Sequence, residues 1–411
     1  VLSQTVSGFS VAIGVETLAQ AVRRQGKKVS TIGWPNVSSG QANEIVRYSS
    51  ADSRAWVAEK SPEDWKVVKV QADGVRILES PLTIKTKNKS YGFHLLLKAT
   101  PGGYEDVYLD DDEVLSNGTL AQIREGQWGS VALNLEGTQG AWFKLIALSK
   151  DLSVFKLYIG AVHTTDAEPP QYLHDIVKAA GFFPGGGNYY ALQAGQIDEN
   201  VYIEQEERLN DWFIHIATYT QTFIGPDLLM LYQSNIDGAG HQFYLTSPRQ
   251  AGYTTERAAL YLHYLEQAYK KADQRVGLFL EGKDENANNV FIVSDHGMAP
   301  LHTIVHINEL LKQAGVRVES GPHRQAIGVG SGGALNVYIN LAGREKEGIV
   351  SIADYEKLQE KIVGVLTDFT DPNSGEKVFA IIKKKTELKD LGLQHENSGD
   401  IVALATAGYY M

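Results

Sequence analysis

The stretch PDLLMLYQSNIDGAGH, Pro226 to His241, decides how this chain is to be read. Asp227 to Gln233 is a nearly continuous apolar run of the kind a buried parallel strand requires. It runs on through Ser234 and Asn235 into Asp237, three small residues and His241. A second run of the same kind, Val290-Phe-Ile-Val-Ser294, delivers Asp295 and His296. Both acidic positions therefore fall just past the end of a predicted strand. In open α/β sheets, ligands collect beyond the carboxyl ends of the strands.

Working outward, helix and strand alternate on both sides. Upstream, EQEERLNDWFIHIATYTQTF carries Leu209, Trp212, Ile216, Tyr219 and Phe223 at three- or four-residue steps, which predicts an amphipathic helix ended by Pro226. Downstream, the spacing predicts helices over roughly Thr255 to Ala272, His306 to Gln313 and Asp354 to Phe369. Strands are predicted at Leu335 to Ile339 and near Val378 and Ile401. Near the start, ETLAQAVRRQ reads as a helix from Glu16 to Gln25, with Gly26 placed to cap it before the strand-like KKVSTIGWP. Alternation of this sort predicts an α/β fold with a mostly parallel central sheet flanked by helices.

Between about Trp65 and Ile159 the character changes. Short β-rich runs, VRILESPLTI, GFHLLLKA and SVALNLEG, are separated by Gly, Asn and Asp turns, which predicts a β-rich insertion over residues 65–160. The core would then comprise residues 1–64 and 161–411. Within the insertion, Asp110-Asp111-Asp112-Glu113 lacks the alternating acidic pattern of a calcium loop and is expected to be a solvated turn.

Composition narrows the function classes. A chain of 411 residues with 43% hydrophobic and 21% charged residues can bury a large core, and disorder is not expected. The formal charge of −11 argues against a surface for duplex nucleic acid, which needs clustered Lys and Arg. The absence of cysteine excludes disulfides, thiolate zinc sites and cysteine nucleophiles, and with them the C-x-P-x-R motif of sulfatases. No apolar run reaches the roughly 18 to 20 residues that would span a bilayer.

Carboxylate oxygen and imidazole nitrogen suit zinc, manganese and related divalent ions. Two such ions about 4 Å apart can stabilise both the attacking and the leaving oxygen of a displaced phosphoryl group. Gly238, Ala239 and Gly240 are expected to let the chain turn sharply so that Asp237 and His241 face one ion. Asp295 and His296, being adjacent, can share an ion only if the backbone leaves the strand there, which Gly297 eases. Taken alone, D-G-A-G-H reads as a polar loop and S-D-H-G-M as a helix cap. Together, and each directly after an apolar strand, they read as a metal-binding set.

PDLLMLYQSNIDGAGHQF resembles the D-x-x-x-H segment of the nucleotide pyrophosphatase/phosphodiesterase family, in the alkaline phosphatase superfamily, and VFIVSDHGMAP resembles its SDHGM segment. ETLAQAVRRQGKKVSTIGWP and SGDIVALATAGYYM are similar to the helix and strand after the family's nucleophile and to a late strand. The resemblance implies an alkaline-phosphatase-like sandwich and two divalent ions, zinc being the usual choice and manganese the alternative. Asp237 and His241 would serve one ion, Asp295 and His296 the other. It implies hydrolysis of phosphodiesters or nucleotide pyrophosphates by in-line attack of a Thr or Ser on phosphorus, with a small phosphate-ester or nucleotide substrate and an extracytoplasmic location. Phosphomonoester or phosphonate hydrolysis, and a non-catalytic binding member of the same fold, stay open beside it. The family's nucleophile, its N-terminal aspartate and its C-terminal histidine are not assigned to any residue here. On this resemblance the chain is expected to be clipped at both ends.

Lesser candidates read as structural. His215 lies inside a helix, His302 and His306 follow the SDHGM segment, and His395 precedes the last strand rather than following it. Gly185-Gly186-Gly187 lacks both the P-loop and the dinucleotide spacing and is expected to be a flexible turn. Lys383-Lys384-Lys385 is expected to mark a charged sheet edge.

Overall fold

The computed structural model describes residues 11–411 except 12, 52, 73, 101, 283–287 and 322. The chain divides into two compact units: Ala12–Gln242 with Tyr264–Val290, and Phe243–His263 with Phe291–Met411.

The first unit opens with α1 (Leu18–Arg24), where Thr17 and Gln20 form a reciprocal capping box. There follow β1 (Val29–Ile32), β2 (Glu44–Ser50), β3 (Trp56–Glu59), β4 (Lys66–Val70), β5 (Arg76–Lys85), β6 (Ser90–Thr100), β7 (Gly103–Asp110), β8 (Ala121–Ile123), β9 (Trp128–Ala132), β10 (Gln139–Leu148), β11 (Phe155–Ile159) and β12 (His163–Glu168). After them come α2 (Pro170–Ala180), α3 (Tyr189–Gln193), α4 (Glu199–Tyr219), β13 (Leu228–Leu231), α5 (Asn235–Phe243) and α6 (Thr255–Leu280), of which Thr255–His263 belongs to the second unit.

The main sheet has the order β13-β1-β2-β12-β10-β11-β3, with β9 added on β10. Only β13, β1 and β2 run parallel; the remaining pairs are antiparallel. The expectation of a mostly parallel sheet is corrected here. The reason is the β-rich stretch, whose short turns join neighbouring strands as hairpins, and β12 carries that antiparallel set onto β2. Strands β4 to β8 form a separate antiparallel sheet. Leu95, Leu97, Val107 and Leu109 of that sheet share one core with Phe143, Leu145, Phe155 and Leu157 of the main sheet.

Successive residues of a strand face opposite ways, so Ile45 and Val46 of β2 serve different cores. Ile45 joins Ala19 of α1, whereas Val46 joins Leu209, Trp212, Phe213 and Ile216 of α4. The predicted stripe is a buried face over Leu209, Trp212 and Ile216, each large side chain contributing about 1.5–3 kcal/mol relative to exposure, whereas Tyr219 is half-buried and Phe223, beyond the end of α4, is 70% exposed. His215 points away from that face and is exposed, as expected.

The second unit contains β14 (Thr303–Ile304), α7 (Ile307–Gln313), β15 (Ala326–Ser331), β16 (Ala334–Ile339), α8 (Ile352–Asp368), β17 (Phe379–Lys384), β18 (Ile401–Ala405) and β19 (Tyr409–Tyr410). Strands β15, β16, β18 and β17 form an antiparallel sheet covered by Leu311, Leu358, Ile362 and Leu366 of the two helices. The lysine run ends β17, which is an edge strand, so the expected charged edge is present. Asp400 anchors the sheet from below β18. Its carboxylate is 1% exposed and takes a bidentate grip from Arg344, the Ile339 N–H at 2.6 Å and the Tyr355 hydroxyl at 2.7 Å.

The predicted strand Val290–Ser294 does not form. Among the described residues no strand pairs with it, and Phe291, Ile292 and Val293 are 85%, 76% and 75% exposed. An apolar run becomes a strand only where a neighbouring backbone completes its ladder, and hydrophobicity alone does not specify that neighbour.

Candidate functional site

Asp237 is placed by the parallel end of the main sheet. Asp227 accepts from the Lys28 N–H at 2.8 Å, with Lys27 beside it, and this fixes the register in which Leu228 to Leu231 pair with Val29 to Ile32. Three residues after β13 the chain enters α5, and the buried Asn235 side chain donates to the Ala268 carbonyl of α6 at 2.9 Å. The DGAGH segment is therefore helical, and the expected sharp turn is corrected. Four residues make about one helical turn, so Asp237 and His241 share a face, with His241 Nε2 3.5 Å from Asp237 Oδ1. That oxygen is shut off from solvent and, among the described residues, accepts no hydrogen bond.

The glycines serve close approach. A Cβ at Gly238 would sit 2.7 Å from Cδ of Glu206, so only glycine lets α5 lie against α4 there. Glu206 is buried, accepts from the Gly187 N–H at 2.7 Å and lies 3.5 Å from the Ser234 hydroxyl. Burial pushes it up to about 7 against those hydrogen bonds, and the charge of Asp237 adds to the rise. Tyr202, one turn earlier, donates to the Gly238 carbonyl at 3.1 Å. Asn210, one turn later, receives the Ser234 N–H at 2.9 Å. Three successive turns of α4 thus clamp the link from β13 to α5. The triglycine loop belongs to this clamp: Gly186 packs on Leu209 and Glu206, and Gly187 on Tyr202.

Tyr202, Glu206 and Asn210 were not singled out in the sequence. The available signal was a carboxylate and an amide lying in register with the apolar stripe of α4, where unpartnered polar groups are costly.

Asp295 and His296 lie in the irregular stretch before β14. The His296 N–H donates to Asp295 Oδ1 at 3.0 Å, and His296 Nε2 is 3.6 Å from Asp295 Oδ2. The backbone has left any strand geometry here, as the reading of this pair required, and both side chains are open to solvent. The two pairs belong to different compact units. His302 packs edge-on against Tyr409 and touches Gly408, His306 precedes α7, and His395 Nδ1 accepts from the Asn397 N–H. Thr5 and Ser7, hydroxyls near the start, lie outside the described residues.

The carboxylate and imidazole of the Asp237 pair fit a divalent ion. Both donors are on one helix face, and one carboxylate oxygen is buried without a donor of its own. The Asp295 pair has the same donor chemistry in an accessible setting.

Residues 149–411 match the family of type I phosphodiesterases / nucleotide pyrophosphatases. No match is found among curated proteins. Solved structures similar in part are those of phosphonoacetate hydrolase from Sinorhizobium meliloti 1021. The complex with phosphonoformate gives 11% identity and a TM-score of 0.27, over 54% of this chain and 46% of that one. The complex with phosphonoacetate gives 12% and 0.26 over the same shares. The chain thus spans less than half the length of these structures.

Proposed function

The chain belongs to the type I phosphodiesterase / nucleotide pyrophosphatase family, and from that premise we propose that it carries the metal-binding part of a hydrolase acting on phosphodiesters or nucleotide pyrophosphates. Asp237 and His241 hold one divalent ion and Asp295 and His296 the other, zinc being the first choice and manganese the second. When bound, such ions supply Lewis-acid polarisation of the phosphoryl oxygens and charge neutralisation for an anionic substrate on a chain of net charge −11.

The observation that carries this reading is the Asp237–His241 pair, set just after a parallel strand with a buried carboxylate oxygen left unsatisfied. The chain's own residues orient the ligands. Tyr202 and Asn210 hold the ends of the β13–α5 link, and Glu206 fills the space behind Gly238, so the helix face cannot rotate without breaking these partly buried hydrogen bonds. An extracytoplasmic location and a small phosphate-ester or nucleotide substrate complete the proposal. Among the described residues no helix is long and apolar enough to cross a membrane.

The test is hydrolysis of bis-p-nitrophenyl phosphate by the purified chain, alongside Asp237→Ala and Asp295→Ala, with metal content measured on each. Loss of bound metal and of turnover in both variants is the expected result. Turnover that survives either substitution would overturn the assignment, and a higher rate on p-nitrophenyl phosphate would move the substrate class to monoesters.

A further inference from the structure

We propose that the sheet β4–β8 carries a second, separate divalent-cation site formed by Glu79, His94 and Glu113.

These residues come from strands that sequence distance hides. Glu79 is on β5 and His94 on β6, where His94 pairs with Pro81, two residues from Glu79 and on the same face. His94 also pairs directly with Asp110 of β7. Paired residues of an antiparallel ladder project to one side with Cβ atoms about 4.5–5.5 Å apart, so Glu79, His94 and Asp110 share a face. It is the face opposite Phe93, Leu95 and Leu97, which enter the core. Glu113 reaches back from the turn after β7.

One donor atom from each of Glu79, His94 and Glu113 lies within 4.8 Å of the others. His94 Nδ1 is 2.9 Å from Glu79 and 3.9 Å from Glu113. A shift of about an ångström would bring the donors around an ion with bonds of roughly 2.0–2.2 Å. The independent observation is Glu79. Its side chain is 1% exposed, and its Oε2 is shut off from solvent without a hydrogen bond among the described residues, faced by the Lys66 ammonium.

The acidic run was expected to be a solvated turn, and two of its members fit that role. Asp111 is exposed, and Asp112 accepts from the Val114 N–H and the Asn117 amide. Asp110 is buried and accepts from the Asp111 N–H at 2.9 Å, and Glu113 is exposed but lies 3.9 Å from His94. Two carboxylates therefore converge on one imidazole and one ammonium, that of Lys66, 3.2 Å from Glu79 and two-thirds exposed. A divalent cation supplies the missing positive charge, and two carboxylate oxygens with one imidazole nitrogen suit zinc or manganese.

The test uses the full chain carrying Asp237→Ala and Asp295→Ala, stripped with chelator and titrated with zinc chloride alone, so that binding at those two positions does not contribute. One ion should still bind. His94→Gln and Glu113→Gln, both at partly exposed positions where folding is undisturbed, should each weaken it at least about tenfold, since even outer-shell changes cost 10–100-fold. Circular dichroism on each variant reports the fold. No binding in the double variant, or an unchanged affinity in Glu113→Gln, would overturn the proposal.

Discussion

The Glu206 carboxyl occupies the space that a side chain at Gly238 would need: a Cβ there would lie 2.7 Å from Glu206 Cδ. A methyl group at 238 must therefore displace a buried carboxylate that is hydrogen-bonded to Gly187.

Gly238→Ala is expected to lower stability by about 1–3 kcal/mol, the cost of overpacking, because this exceeds the ~1 kcal/mol that Ala gains over Gly in a helix. It should also weaken metal binding at Asp237. Thermal unfolding and zinc titration read both effects; a stabilised variant would mean that the two helices do not touch.

Gly277 in α6 is the contrasting case, since nothing lies within 4 Å of a Cβ built there. Gly277→Ala should gain stability by about 0.5–1 kcal/mol through helix propensity alone. Chemical denaturation at constant slope measures it.

Asp400 predicts a pH dependence. Its burial favours the neutral acid, but Arg344, the Ile339 N–H and the Tyr355 hydroxyl outweigh burial and hold its carboxyl below the usual carboxylate range. A depressed folded-state value contributes stability that is fully present above the unfolded value of about 3.9 and is lost as pH falls through the lower folded value. Asp400→Asn should cost about 2–3 kcal/mol at pH 7, less than a wholly buried pair because Arg344 is one-third exposed. The difference from the parent should shrink toward pH 2, as denaturant titrations across that range would show.

Phe291 is 85% exposed, so Phe291→Ser should shift unfolding by no more than about 0.5 kcal/mol. A buried strand at 290–294 would instead lose about 3–5 kcal/mol on such a truncation. Equilibrium unfolding of the single variant separates the two arrangements.

What was legible in the sequence was local. The stripe on α4 and the later helices declare themselves through spacing, and the DGAGH and SDHGM pairs through their position after apolar runs. What was not legible depends on pairing between distant segments. The direction of the main sheet follows from β12 lying beside β2, and no periodicity within either strand reports that. The proximity of Asp237 to His241 was read correctly but for the wrong reason: the glycines suggested a turn, whereas helix geometry makes the pair and Gly238 is there to admit Glu206. Glu79, His94 and Asp110 lie on three different strands, so only their register brings them to one face.

The loop at Gly185 to Asn188 has a further implication for recognition. Its Gly187 and Asn188 amides already donate to Glu206 and Gln205 of α4. The chain carries its own tethered acceptors in that cradle, the Glu206 carboxyl and the Gln205 amide oxygen. This glycine-rich turn therefore acts as scaffolding whose ligand is built in.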